Sequence, residues 1–140
     1  MKEFGVDITT DDIIDTLAFF DSWDDRYKYI IDLGKELPPL PDSERIDENI
    51  IRGCQSKVWL SAEQREEHLY FQVDSDAFIV KGLLGIVMAA YNSKTPQQIL
   101  DFDIEAYFAE IDLMRHLSPT RGSGLQAMVA RIKTIAAASV

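Results

Sequence analysis

Cys54, the one cysteine of the sequence, stands in the run Ile50-Ile51-Arg52-Gly53-Cys54-Gln55-Ser56, between a proline-rich segment and a first β-prone stretch. That setting predicts a loop. Loops held by a rigid scaffold carry function disproportionately, and Gly53 lets another backbone or a bulky partner approach closely. A thiol reacts as its thiolate, and an ordinary cysteine with a pKa of about 8.5 is only a few per cent ionised at neutral pH. Chemistry at Cys54 therefore calls for a nearby cation or an array of amides. Residue types and spacing alone leave the opposite reading open, a small buried hydrophobe with no chemical duty. Gln55 and Ser56 can donate hydrogen bonds to a sulfur species or merely satisfy the backbone of a tight loop. Asp74, Ser75 and Asp76 precede a long apolar run and are placed to cap a helix. His68 and His116 have no spacing that implies a ligand or a general base, and read as surface or interface residues.

The same inventory excludes several classes. One cysteine forms no internal disulfide, which favours a reducing compartment. One cysteine and two histidines fall short of a structural zinc set, and a lone thiol does not supply the several thiolates of a cluster, so no metal and no cofactor of its own is expected. A formal net charge of -10 argues against nucleic acid or an anionic membrane as partner, since both need basic patches. Residues 1–50 hold fourteen acidic and five basic side chains, and residues 51–140 ten and nine. The acidic half either keeps a surface solvated or steers a basic protein. The longest nonpolar stretch, Gly82 to Tyr91, is about half of what spans a bilayer, and the N-terminus is acidic where a signal peptide is basic. A cytoplasmic protein is expected.

The elements that must position these groups follow from caps and periodicity. At 140 residues and 46% hydrophobic content the chain can bury one core, so residues 1–140 are read as a single domain. Thr9 or Thr10 caps a first helix with Ile13, Ile14, Leu17 and Phe20 in register. Ser22 caps a second, carrying Tyr27, Ile30 and Ile31, with Gly34 placed to end it. Leu37-Pro38-Pro39-Leu40-Pro41 runs extended. Val58 to Leu60 and His68 to Val73 are β-prone and flank a polar connection, Ser61 to Glu67. From Asp76 to Tyr91 the chain is apolar nearly all round, which predicts a buried central helix. Thr95-Pro96-Gln97-Gln98 opens a short helix with a capping box. Ile104 to Leu113 is helical, and Ser118-Pro119 opens a last helix with Leu125, Met128, Val129 and Ile132 inward and Arg131 and Lys133 toward its negative end. Trp23, Tyr27 and Trp59 read as core anchors.

With these elements in place, Gly53-Cys54-Gln55-Ser56-Lys57-Val58-Trp59 resembles the active-site loop of the SufE family of sulfur acceptors. Three further stretches resemble the family in the same order: Trp23 to Tyr27 with Ile30 to Gly34, Asp74 to Ala77 with Ile79 to Leu83, and Leu117 to Gly122 with Gly124-Leu125. The resemblance implies that Cys54 accepts sulfane sulfur from the persulfide of a cysteine desulfurase, with the PLP belonging to that partner. It also implies that Arg121 and Asp76 lie near the cysteine loop, Arg121 to stabilise the sulfur anion and Asp76 to hold the loop or Arg121. Without the resemblance, Arg121 in the first turn of a helix opposes the macrodipole and pairs as readily with a carboxylate such as Asp76.

The expected fold is therefore an α+β domain, mainly helical, with a two- to three-stranded antiparallel sheet packed against helices, SufE/IscU-like in outline. The expected function is a persulfide carrier that stimulates a desulfurase, SufS-like in preference to CsdA-like, and passes sulfur to a SufBCD-type scaffold. Its rivals are a desulfurase-activating module that carries no sulfur, a scaffold that builds the cluster on itself and a cysteine hydrolase using His68 or His116.

Overall fold

The structure is a computed structural model and describes residues 3–53 and 56–140. Local chemistry sets the first two helices. Thr9 caps α1 (Thr10–Phe19) through a complete capping box with Asp12, burying Ile13 and Leu17. The Ser22 hydroxyl accepts the Asp25 N–H at 3.2 Å and starts α2 (Trp23–Lys35). Gly34 does not end that helix. It lies within α2, where an added Cβ would come within 2.7 Å of the Gly82 nitrogen, and a Cβ on Gly82 would sit 2.2 Å from the Ile30 carbonyl oxygen. The two glycines thus let α2 and the central helix approach backbone to backbone.

Strands β1 (Val58–Arg65) and β2 (His68–Ser75) form an antiparallel hairpin in register from Val58↔Ser75 to Arg65↔His68, the one sheet among the described residues. The connection expected over Ser61 to Glu67 shrinks to Glu66-Glu67, with Glu66 in the left-handed region at φ 58. Ser61 to Arg65 are mostly polar because this half of β1 is the exposed edge of the hairpin, while Phe71 and Leu69 of β2, paired with Ala62 and Gln64, stay in the core.

Helix α3 (Phe78–Tyr91) is buried at every residue from Gly82 to Tyr91 and packs against α2, β2 and α1. It is the spine of the core. Its start corrects the capping assigned to Asp74, Ser75 and Asp76: the N-cap is Ala77, with no side-chain cap, and Asp74 and Ser75 close β2. Helix α4 (Pro96–Asp101) has the expected Thr95–Gln98 capping box. Helix α5 (Ile104–Glu110) stops short of Leu113, because Asp112 takes a left-handed φ of 53 and a 3₁₀ turn, Met114–His116, follows.

Ser118 caps α6 (Pro119–Ser139), whose Leu125, Met128, Val129 and Ile132 are buried. The helix runs beyond Arg131 and Lys133, so neither sits at its negative end; Arg131 instead donates to the Glu48 carbonyl at 2.9 Å. Trp23, Tyr27 and Trp59 are half-buried rather than enclosed. Trp23 stacks on His116 with ring centroids 3.9 Å apart, and the Tyr27 hydroxyl donates to the His116 carbonyl. His116 is accordingly a packing residue between α2 and the 3₁₀ turn. Among the described residues no helix is long and apolar enough to cross a membrane.

The close approach of α2 and α3 leaves no room for a methyl group. Gly82→Ala is expected to lower unfolding stability by about 3 kcal/mol, at the upper end of overpacking costs, as read from urea denaturation midpoints.

Candidate functional site

Both limbs of the cysteine loop are anchored. Across its base the Ile51 N–H donates to the Val58 carbonyl at 2.9 Å. Gly53, at φ 93, lies against α6, since a Cβ there would fall 3.5 Å from the Ala127 methyl. Cys54 and Gln55 lie outside the described residues. The chain reappears at Ser56, which lines a cavity of about 40 Å³ with Val80 and Leu83 of α3 and Thr120, Arg121, Gly124 and Met128 of α6. Residues on both sides of Cys54 thus meet the first half of α6.

The descending limb is clamped by the end of β2. The Asp76 carboxylate accepts the Lys57 N–H at 3.1 Å, the Asp76 N–H returns to the Lys57 carbonyl at 3.3 Å, and the Ser75 hydroxyl donates to that same carbonyl at 2.7 Å. Asp76 therefore contacts the loop backbone and forms no ion pair with Arg121. Arg121 is exposed, its N–H bonded to the Ser118 hydroxyl at 3.2 Å. Among the described residues its guanidinium has no carboxylate partner. A cation in the first turn of a helix faces the positive end of the macrodipole, so the helix does not offset this charge, and no described carboxylate beside Ser56 does so either. Neither His68 nor His116 lines that cavity.

A second cluster escaped sequence reading. Asp74, 6% exposed, accepts from the Arg45 guanidinium and from the Ser75 N–H at 2.8 Å, with the Lys81 ammonium 3.4 Å away. The Arg45 guanidinium also lies over the Trp59 ring, 5.1 Å from its centroid. Burial by itself raises the Asp74 pKa, but the Ser75 N–H, the Arg45 hydrogen bond and the two cations outweigh it and hold the carboxyl below its ordinary 3.8. Arg45 ties the arm over residues 42–49, which leads into the cysteine loop, to Asp74 of β2, and Arg131 of α6 ties it through the Glu48 carbonyl, while Asn49 bonds the Glu44 carbonyl at 2.8 Å within the arm. The available signal was an aspartate on the solvent side of an alternating strand, one position before Ser75. It reads as a helix cap until the strand end is known.

Comparison with known proteins adds the following. Residues 11–136 match the family model SufE, described as an Fe-S metabolism associated domain. An uncharacterized SufE-like protein of Rhizobium meliloti (strain 1021) is 44% identical over 128 residues, covering 89% of this chain and 91% of that protein. The solution structure of a hypothetical protein from Thermus thermophilus shares the fold with a TM-score of 0.76 at 15% identity, covering 93% of this chain and 94% of that one.

The sign of the Asp74 shift fixes a pH dependence. A carboxyl whose folded pKa is depressed contributes stability above its unfolded value near 3.8, and that contribution disappears as the pH falls through the lower folded value. Asp74→Asn is expected to cost about 2 kcal/mol at neutral pH, because it removes the one buried carboxylate that Arg45 and Lys81 share. It should also flatten the fall in stability below about pH 4, as measured by urea midpoints across pH.

Proposed function

The chain belongs to the SufE family and so to iron-sulfur metabolism, and from that membership we propose that it carries sulfur as a persulfide on Cys54. The observation that carries the reading is a cation without a carboxylate partner beside the loop that holds the lone cysteine: Gly53 lies against α6, and Arg121 of α6 lines a cavity with Ser56 and has no ion pair among the described residues. An unpaired guanidinium suits an anion that comes and goes, whereas a permanent carboxylate partner would neutralise it.

In the proposed step the Cys54 thiolate attacks the terminal sulfur of a donor persulfide. A new S–S bond forms at Cys54, the donor's S–S bond breaks, and its electron pair leaves on the donor cysteine as thiolate. The Arg121 charge favours the thiolate before attack and the persulfide anion after it. Asp76 holds the Lys57 backbone, which limits the loop's freedom without touching the reacting atoms. The donor is a cysteine desulfurase, SufS-like in preference to CsdA-like, whose own PLP liberates sulfur from cysteine. The recipient is a SufBCD-type cluster scaffold, and iron and sulfur are cargo rather than resident groups.

The chain is to be mixed with a desulfurase and cysteine and the Cys54 peptide examined by mass spectrometry. Expected is a reductant-sensitive gain of one or more sulfur atoms on that peptide and none elsewhere. Cys54→Ser should abolish stimulation of the desulfurase; full stimulation by that variant would replace the relay with a purely activating module. Arg121→Ala should fold normally and slow the transfer about tenfold, the effect of losing one charge-assisted contact of roughly 1.4 kcal/mol. An unchanged rate would remove Arg121 from the mechanism.

A further inference from the structure

We propose that the cleft along the open edge of β1 is a docking site for an extended, cationic segment of a partner protein, which adds to the hairpin as a third strand. The cleft holds about 680 Å³, within the range of ligand sites of roughly 300–1,000 Å³. Phe4, Phe71 and Met88 contribute its apolar lining.

Strand parity identifies the open backbone. On β2 the outward-facing residues are satisfied: Leu69 exchanges hydrogen bonds with Lys94 and Ser93, and the Phe71 N–H donates to the Asn92 side chain at 2.8 Å. On β1 the Val58 carbonyl faces outward to Ile51. Antiparallel pairing alternates, so Ala62 and Gln64 also turn their N–H and C=O groups outward. Both residues are exposed, and neither backbone has a partner among the described residues. The facing wall cannot close the sheet itself, because Pro38 and Pro39, which line it, have no N–H to donate. An unpaired edge beside an apolar groove is the geometry of β-strand addition.

Charge selects the occupant. Among the described residues, Glu3, Glu44 and Glu63 line the cleft against a single cation, Arg65, and Arg65 is already near Glu63 at 3.7 Å. A second copy of this chain would bring the same acidic rim to the edge and be repelled, which is how edge strands avoid self-pairing. A strand with lysine or arginine at alternate positions meets the carboxylates while its backbone completes Ala62 and Gln64. This reading is independent of the sulfur chemistry at Cys54.

The test titrates the full chain with synthetic hexapeptides of one Val/Thr framework, bearing Lys or Glu at alternate positions, followed by amide NMR. The Lys peptide is expected to shift the Ala62 and Gln64 amides, to slow their exchange with solvent and to bind with a Kd below ~1 mM that weakens as salt is added. The same peptide N-methylated at the edge-facing amides should bind at least about tenfold more weakly, since it loses the ladder bonds. Glu63→Lys, at an exposed position, should remove most of the preference between the two peptides, since it leaves two carboxylates and two cations along the described rim. Equal responses to the Lys and Glu peptides, or none up to ~1 mM, would leave the rim as a guard against aggregation only and overturn the proposal. Undiminished binding of the N-methylated peptide would overturn strand addition and leave a cleft for side chains alone.

Discussion

A carboxylate held out of water between two cations organises the surroundings of the candidate site. Asp74 is in β2, Lys81 is in α3, and Arg45 is on the irregular arm that feeds the cysteine loop. Desolvating three charges is costly, and it is tolerable only where each keeps partners. Asp74 has the Ser75 N–H as well as both cations, and Arg45 and Lys81 keep a third of their side-chain surface or slightly less in solvent. Arginine suits the arm better than lysine would. Its planar fork bonds the carboxylate while its face lies over Trp59, and an ammonium cannot do both from one position. Trp59 in turn is bridged to Ile50. The arm, the first strand and the entry to the loop are thus fixed through a single buried charge.

From that anchor the loop inherits two stiff limbs. One returns from Ile51 to Val58, and the other is sewn to Ser75 and Asp76 by three hydrogen bonds at Lys57. Because β2 runs straight into the spine helix through Ala77, the clamp on Lys57 is rigid with respect to the core. Arg121 comes from the opposite side, on α6, whose inward face is buried against that same core. A cation carried on one rigid element therefore faces a loop carried on another. The charge and the descending limb of the loop thus meet at Ser56, each set by a different part of the core.

How much of this was legible depends on the range of the interaction. Caps act within four residues, and Thr9, Ser22, Thr95 and Ser118 stand where residue type placed them. The buried run of α3 was equally readable, because no other arrangement hides so many apolar side chains. Contacts across the chain were not. Gly34 looked like a helix stop and is an interhelical contact, a distinction made only by Gly82, far along the sequence. Asp74 and Ser75 looked like caps because a short polar residue before an apolar run serves equally to end a strand. Ser61 to Arg65 looked like a loop because polarity marks water, and an exposed edge strand is as polar as a turn. At Cys54 residue type and spacing left two readings open; the ordered motifs pointed to a family, and the domain match shows that family.

The acidic excess of the first 50 residues can be divided by the same reasoning. Asp11 and Asp12, and then Asp24 and Asp25, occupy the first turns of α1 and α2, where a negative charge complements the helix dipole and needs no partner to explain it. Asp32 is paired with Lys35, and Asp42 with Arg45. Glu3 and Glu44 also line the cleft with Glu63, a residue far along the chain from both, although the Glu44 carboxylate accepts from the Asn49 side chain at 3.0 Å. A surface kept merely soluble would have no reason to gather carboxylates from three separate segments around one groove. The net charge of residues 1–50 therefore includes a set of helix-start residues that stabilise α1 and α2 locally, and a smaller set gathered around the cleft. That second set faces a groove with an unfinished sheet edge, so its field and its hydrogen-bonding capacity act on the same incoming chain.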